Sequence, residues 1–177
     1  MKKKYLFILF LLVTNITFAQ KKYTTKSGQI KFFSNTALED VEATNNQVFC
    51  SLNSSTNKIQ FAVLIKGFAF ENSLMQKHFN EAEYMYSDKY PKAIFNGTIK
   101  NKASINFNKA GSYKAFVEGS LSMHGITKLI TTEGTITITT NKIILNSKFN
   151  ISPTDYKIAV PEGISNTIAV KVDCKLD

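Results

Sequence analysis

From Gly28 onward, apolar and polar positions alternate with a period of two in one short run after another. Turns rich in Asn, Gly, Ser and Asp separate the runs. This pattern predicts strands that bury one face and wet the other. The clearest runs are Ile59, Phe61, Val63 and Ile65 within Lys58 to Phe68, and Tyr113, Ala115, Val117, Gly119, Leu121 and Met123 within Ser112 to Met123. Gly28 to Ser34 reads as an opening strand, and Val48 to Asn53 forms a hairpin with Lys58 to Phe68 around Ser54-Ser55-Thr56-Asn57. Further strands are expected at Lys92 to Asn101, Ala103 to Phe107, Thr127 to Thr139, Lys142 to Ile151 and Asn166 to Leu176. Pro91 opens its strand at a position where no interior ladder donor is lost. Gly111-Ser112, Gly125 and Asn141-Lys142 supply turns.

Two windows break the alternation. Glu71 to Glu83 reads as a short helix capped by Asn72 or Ser73, with Leu74, Met75, His78 and Phe79 on one face. Ala37 to Asn46 is charged and is expected to form one or two helical turns. The count of about eight strands predicts an all-β chain closed as an eight-stranded antiparallel barrel, whose interior is either filled by side chains or holds one small ligand. Small inward residues at Ala115 and Gly119 favour a cavity, although a tapering packed core could use the same residues.

At the N-terminus, Lys2, Lys3 and Lys4 precede an apolar run from Tyr5 to Val13 and a small-residue exit at Thr17-Phe18-Ala19. Residues 1–19 are therefore expected to be a cleaved secretory signal peptide, and residues 20–177 one domain that works in the periplasm or outside the cell. The chain carries 22 basic and 13 acidic residues, a net charge of +9, and every cation is a lysine. The missing arginine removes the planar fork that phosphate and base edges favour, so nucleic acid is not an expected partner. Single lysines along strands read as solvated faces, with peripheral contact to an anionic membrane left open. Cys50 and Cys174 both sit on apolar sides of strand patterns, where two free thiols or a disulfide across the barrel would each fit.

Catalytic signatures are missing: the chain has no GxSxG, no HExxH and no Gly-rich phosphate loop, and its acidic pairs lie in polar stretches. Two isolated histidines make a poor metal site, so no catalytic residue, metal or cofactor is expected. The ligand-binding candidates are large apolar and amphipathic side chains. Met75, Phe79 and Met85 either line a cavity or pack as core, while His78, Tyr84, Tyr86, Tyr90 and His124 could meet a polar head group at its mouth. Inward-facing Phe61, Phe95, Leu121 and Met123 complete the set. His124, before Gly125, would equally serve to hydrogen-bond a tight turn.

The run LMQKHFNEAEY (74–84), the block DKYPKAIF (88–95), the block VEGSLSMHGITK (117–128) and the late segment Phe149 to Ile158 follow one another along most of the chain. Together they make the chain resemble the YceI-like family of exported, lipocalin-like proteins. The resemblance implies an extended eight-stranded antiparallel barrel with one short helix near its mouth and an apolar tunnel. It also implies a long-chain lipid, an isoprenoid, isoprenoid quinone or fatty-acid derivative, sequestered or transported by a monomer or homodimer. The competing readings are an envelope-stress interaction protein with a filled barrel and an enzyme acting on a bound lipid.

Overall fold

The structure of the protein, a computed structural model, describes residues 21–34 and 40–177. The expected signal peptide at 1–19 lies outside the described residues, as does the start of the helical window at 37–39. The strands are β1 Lys22–Ser34, β2 Val41–Asn53, β3 Lys58–Leu64, β4 Ala69–Phe70, β5 Lys92–Ile99, β6 Gly111–Met123, β7 Ile126–Ile138, β8 Ile143–Ile151 and β9 Ile168–Leu176. One α-helix, α1 (Ser73–Asn80), stands between β4 and β5.

They form one sheet in the order β1-β9-β8-β7-β6-β5-β3-β2-β4, and a further β1–β2 pairing closes it. Eight antiparallel strands thus make a ring, and the two-residue β4 is added to the flank of β2. Closure removes the free edges of an open sheet, apart from the β8-facing side of β7 before Gly134. The alternation read from the sequence is what closes it: Ala115, Val117 and Met123 of β6 and Ile136 and Ile138 of β7 point inward and are buried. The turn between these strands is the two-residue loop His124-Gly125, both at positive φ (51° and 76°), which matches the right-handed twist of a hairpin.

Two expectations need correction. Residues 41–46 are not helical but form the first half of β2. Here Ala43 and Asn45 are buried at odd positions, whereas Val48, Cys50 and Leu52 are buried at even ones. Irregular pairing with β1 around Gly28 produces this change of parity and hides the strand from a period-two reading. The fully buried Asn45 is satisfied in place, donating Nδ2 to the Leu64 carbonyl at 2.9 Å and accepting from Gln47 N at 2.8 Å.

The expected strand at Ala103 to Phe107 is instead a 3₁₀ turn, Lys102–Ser104, and the bend that follows it. The side chain of Asn101 takes over the β6 backbone groups a strand would have paired, accepting from Phe116 N at 2.8 Å and donating to the Lys114 carbonyl at 2.9 Å. The remaining strands differ from expectation only at their ends. Among these, β3 stops at Leu64, where a 3₁₀ turn (Ile65–Gly67) redirects the chain towards α1.

The barrel is packed at one end and open within at the other. A cluster including Leu52, Ile99, Ile138, Ile143 and Leu176 fills the closed end. Smaller clusters around Phe68 and around Met85 lie where the chain between β3 and β5 crosses the other. The pairing of β7 with β8 extends only from Gly134↔Ser147 to Ile138↔Ile143, so the two strands part beyond Gly134. The segment after β8, with its 3₁₀ turn Pro153–Tyr156, lies against that gap. Lys128 of β7 pairs with Asp155 at 3.1 Å, and His124 Nδ1 donates to the Tyr156 carbonyl at 2.9 Å.

Candidate functional site

Inside the barrel is a cavity of about 490 Å³, within the range of pockets that enclose a small-molecule ligand. Its walls come from the inward faces of nearly every strand, from α1, and from residues 158–165 of the segment that spans the β7–β8 gap. Almost all of the lining side chains are apolar. Glu133 is the one charged side chain among the described lining residues, and Lys114 holds it at 2.7 Å on the outer side of β6 and β7.

The α1 end of the cavity is built from rings. Asn72 caps the helix by accepting from Leu74 N at 2.9 Å and Met75 N at 3.3 Å, which fixes where its turns begin. Phe79 then reaches the wall, with ring centroids 5.5 Å from Phe32, 5.8 Å from Phe68 and 5.0 Å from Phe70. No residue of α1 is fully buried, and Leu74, expected on the same face as Phe79, is 56% exposed. The helix therefore covers the cavity through Met75, His78 and Phe79 alone. Beyond Asn80 the chain turns back, with Met85 N donating to the Phe79 carbonyl at 3.1 Å, and this brings Tyr84 and Met85 to the same end.

Of the residues singled out from the sequence, Phe61, Met75, His78, Phe79, Tyr84, Met85, Phe95, Leu121 and Met123 are brought together around the cavity. Tyr86, Tyr90 and His124 are not among its lining. They form a separate edge-on stack, 6.0 Å between Tyr86 and Tyr90 and 4.7 Å between Tyr90 and His124, that fastens the 81–90 loop to the β6–β7 turn. Phe32, Phe70 and the 158–165 segment are lining residues that the sequence reading did not select. The first two carry a signal in the Phe32/Ser34 and Phe68/Phe70 alternation, whereas Ile158-Ala159-Val160-Pro161 has no period to read.

The small inward residues also divide. Ala115 lines the cavity, but the space at Gly119 does not contribute to it, because the Phe95 ring lies over the Gly97–Gly119 pair. Ring-over-glycine packing of this kind restores the side-chain contact that the glycines lack.

Cys50 and Cys174 are both free and fully buried, outside the cavity lining. They sit on the two strands flanking β1, across Gly28, where a Cβ would lie 2.4 Å from Cys174 Sγ. The hydrogen bond with Cys174, and then burial, push the Cys50 thiol well above the usual range. The same hydrogen bond lowers the Cys174 thiol, so it is the complete burial of both sulfurs, rather than ionisation, that keeps the pair from reacting. Titration with a disulfide reagent at mildly alkaline pH is expected to find neither cysteine reactive in the native protein and both reactive in urea. A native thiol that reacts at once would contradict this placement.

Comparison with known proteins gives the following. The family model described as YceI-like domain matches residues 13–176. No curated protein matches the chain. Among solved structures, a polyisoprenoid binding domain from Saccharophagus degradans, implicated in plant cell wall breakdown, is similar with a TM-score of 0.75 at 12% identity, covering 89% of this chain and 98% of that one. Burkholderia cenocepacia BcnA has a TM-score of 0.70 at 13% identity, covering 85% and 96%. The YceI protein of Campylobacter jejuni has a TM-score of 0.57 at 16% identity, covering 98% and 97%. At these identities the likeness is one of fold.

Proposed function

We propose, because this chain belongs to the YceI-like domain family, that it is an exported binding protein that encloses a long-chain apolar ligand, an isoprenoid, isoprenoid quinone or fatty-acid derivative, and stores or carries it. The observation that carries this reading is the cavity of about 490 Å³ with one charged side chain in its lining among the described residues. A filled barrel would have no such space. The description of the Saccharophagus degradans neighbour as a polyisoprenoid binding domain supports the same ligand class.

The mechanism is burial. Each methylene moved from water into the cavity contributes about 0.8 kcal/mol, so ten tail carbons give roughly 8 kcal/mol before the costs of association and ordering are subtracted. Affinity of that origin needs no reactive group. Among the described residues, titratable side chains in the lining are confined to Glu133, His78 and Tyr84, which favours binding over catalysis. Organic extraction of the protein purified from an export-competent host, followed by mass spectrometry, is expected to release a stoichiometric lipid. Repeated recovery of lipid-free protein from native preparations would overturn the reading, and conversion of the extracted lipid on reincubation would replace it with an enzymatic one.

A further inference from the structure

We propose that the cavity selects lipids whose head group is uncharged and bears a hydrogen-bonding oxygen, an alcohol, amide or carbonyl, and that Ser34 is the residue that holds that oxygen. This deepens the reading that the barrel encloses a lipid and rests on it. Two independent observations carry it.

The first is what the lining lacks. No lysine belongs to it among the described residues, although the chain is rich in lysine, and its one carboxylate, Glu133, is already paired with Lys114. A buried diphosphate would have no counter-ion. An unpaired charge taken out of water costs far more than an uncharged polar group, and that difference discriminates between head groups on the same tail.

The second is where hydrogen-bonding capacity remains unused. On the β7–β8 side of the cavity the Thr132 and Ser147 hydroxyls are already occupied: Ser147 Oγ donates to the Glu133 carbonyl at 2.6 Å and lies 3.2 Å from Thr132 Oγ1. At the α1 end the situation is reversed. Ser34 lines the cavity, is 1% exposed, and its hydroxyl has no hydrogen-bond partner among the described residues. A buried hydroxyl left unpaired is uncommon and destabilising, which points to a partner that arrives with the ligand. Ser34 stands two residues beyond Phe32 on the same face of β1, and Phe32 stacks on Phe79. The serine is thereby set at the end covered by α1, where His78 and Tyr84 also line the cavity. His78 is exposed and Tyr84 half-buried, so water can serve both, and Ser34 is the buried hydroxyl at this end left for an entering oxygen.

Three probes that share one C20 tail test the proposal: geranylgeraniol, geranylgeranyl diphosphate and the parent hydrocarbon, each titrated into delipidated protein and read by native mass spectrometry. The alcohol is expected to bind tightest, with the diphosphate at least about tenfold weaker. Ser34→Ala should weaken the alcohol by about fivefold to tenfold, the value of one hydrogen bond, and leave the hydrocarbon unchanged. Without ligand this variant should melt no lower than the parent, since it removes an unpaired hydroxyl. Diphosphate binding as tight as the alcohol in the parent protein overturns the proposal, and so does an equal loss of alcohol and hydrocarbon in Ser34→Ala. If all three probes bind alike, lipid enclosure stands and head-group selection falls. If none binds, both fall together.

Discussion

Phe79→Asp is expected to strip the protein of its lipid while leaving the barrel folded. Phe79 is the contact through which α1 reaches the ring cluster of Phe32, Phe68 and Phe70. Aromatic pairs of this kind contribute about 0.5–1.5 kcal/mol each beyond their area. An eight-residue helix is too short to be stable alone, and α1 buries none of its residues fully, so its position depends on that docking. A carboxylate set among the three remaining rings would be buried in apolar surroundings, and exposing the helix costs less than burying the charge. The cover over the cavity would then swing away. The closed end of the barrel, around Leu52, Ile143 and Leu176, does not involve α1 and should hold. Lipid retained through purification, measured by extraction and mass spectrometry, is expected to fall at least about tenfold, while the melting temperature drops by roughly 4–8 °C, corresponding to about 2 kcal/mol in a chain of this length. Undiminished lipid would show that α1 is no gate. Parallel collapse of lipid content and stability would make Phe79 an ordinary core residue.

The barrel was legible because long strands with one buried face carry a strong signal. β6 and β7 together span 13 residues each, their inward positions alternate without a break, and His124-Gly125 sits at the one point where the chain must turn. The first half of β2 was illegible for a physical reason: an irregularity opposite Gly28 moves its buried positions from odd to even, and Glu39, Asp40 and Glu42 supply the charge of a solvated helix. Local pattern cannot show a strand whose periodicity resets midway. In the site, Met75, Phe79 and Met85 could be chosen from their crowding near a helix, but whether a residue on the adjoining loop faces inward is set by tertiary contacts. Tyr86 and His124 illustrate this, since Tyr90 stacks against both and His124 bonds to Tyr156, far along the chain. The Ser34 hydroxyl was equally invisible, because an unsatisfied group is defined by what surrounds it.

Gly119→Ala should be the most damaging single methyl in the barrel, a prediction that follows from correcting the view of Gly119 as open space. Gly119 of β6 pairs with Gly97 of β5, and the Phe95 ring covers both. A Cβ at Gly119 would lie 2.5 Å from the Asn96 carbonyl oxygen, 2.5 Å from Gly97 Cα and 2.7 Å from Phe95 Cζ. Two of these three neighbours are backbone in the middle of a paired strand and cannot yield without breaking the ladder. At Gly97 a Cβ would also be crowded, 2.5 Å from Phe95 Cε1 and 3.0 Å from Val117 Cγ1, but its nearest neighbours are side chains that can rotate. Gly119→Ala is therefore expected to cost about 3 kcal/mol or more, and Gly97→Ala roughly 1–2 kcal/mol, within the range known for overpacked interiors. Urea midpoints at unchanged m-value would measure both. The two variants should also differ in function. Phe95 lines the cavity, and its ring is the part that can give way at Gly97, so Gly97→Ala pushes it into the space the lipid needs and should lower occupancy in a protein that still folds. Equal stability of Gly119→Ala and the parent would mean that β5 and β6 can separate at this pair, and that the ring does not hold the shape of the cavity wall.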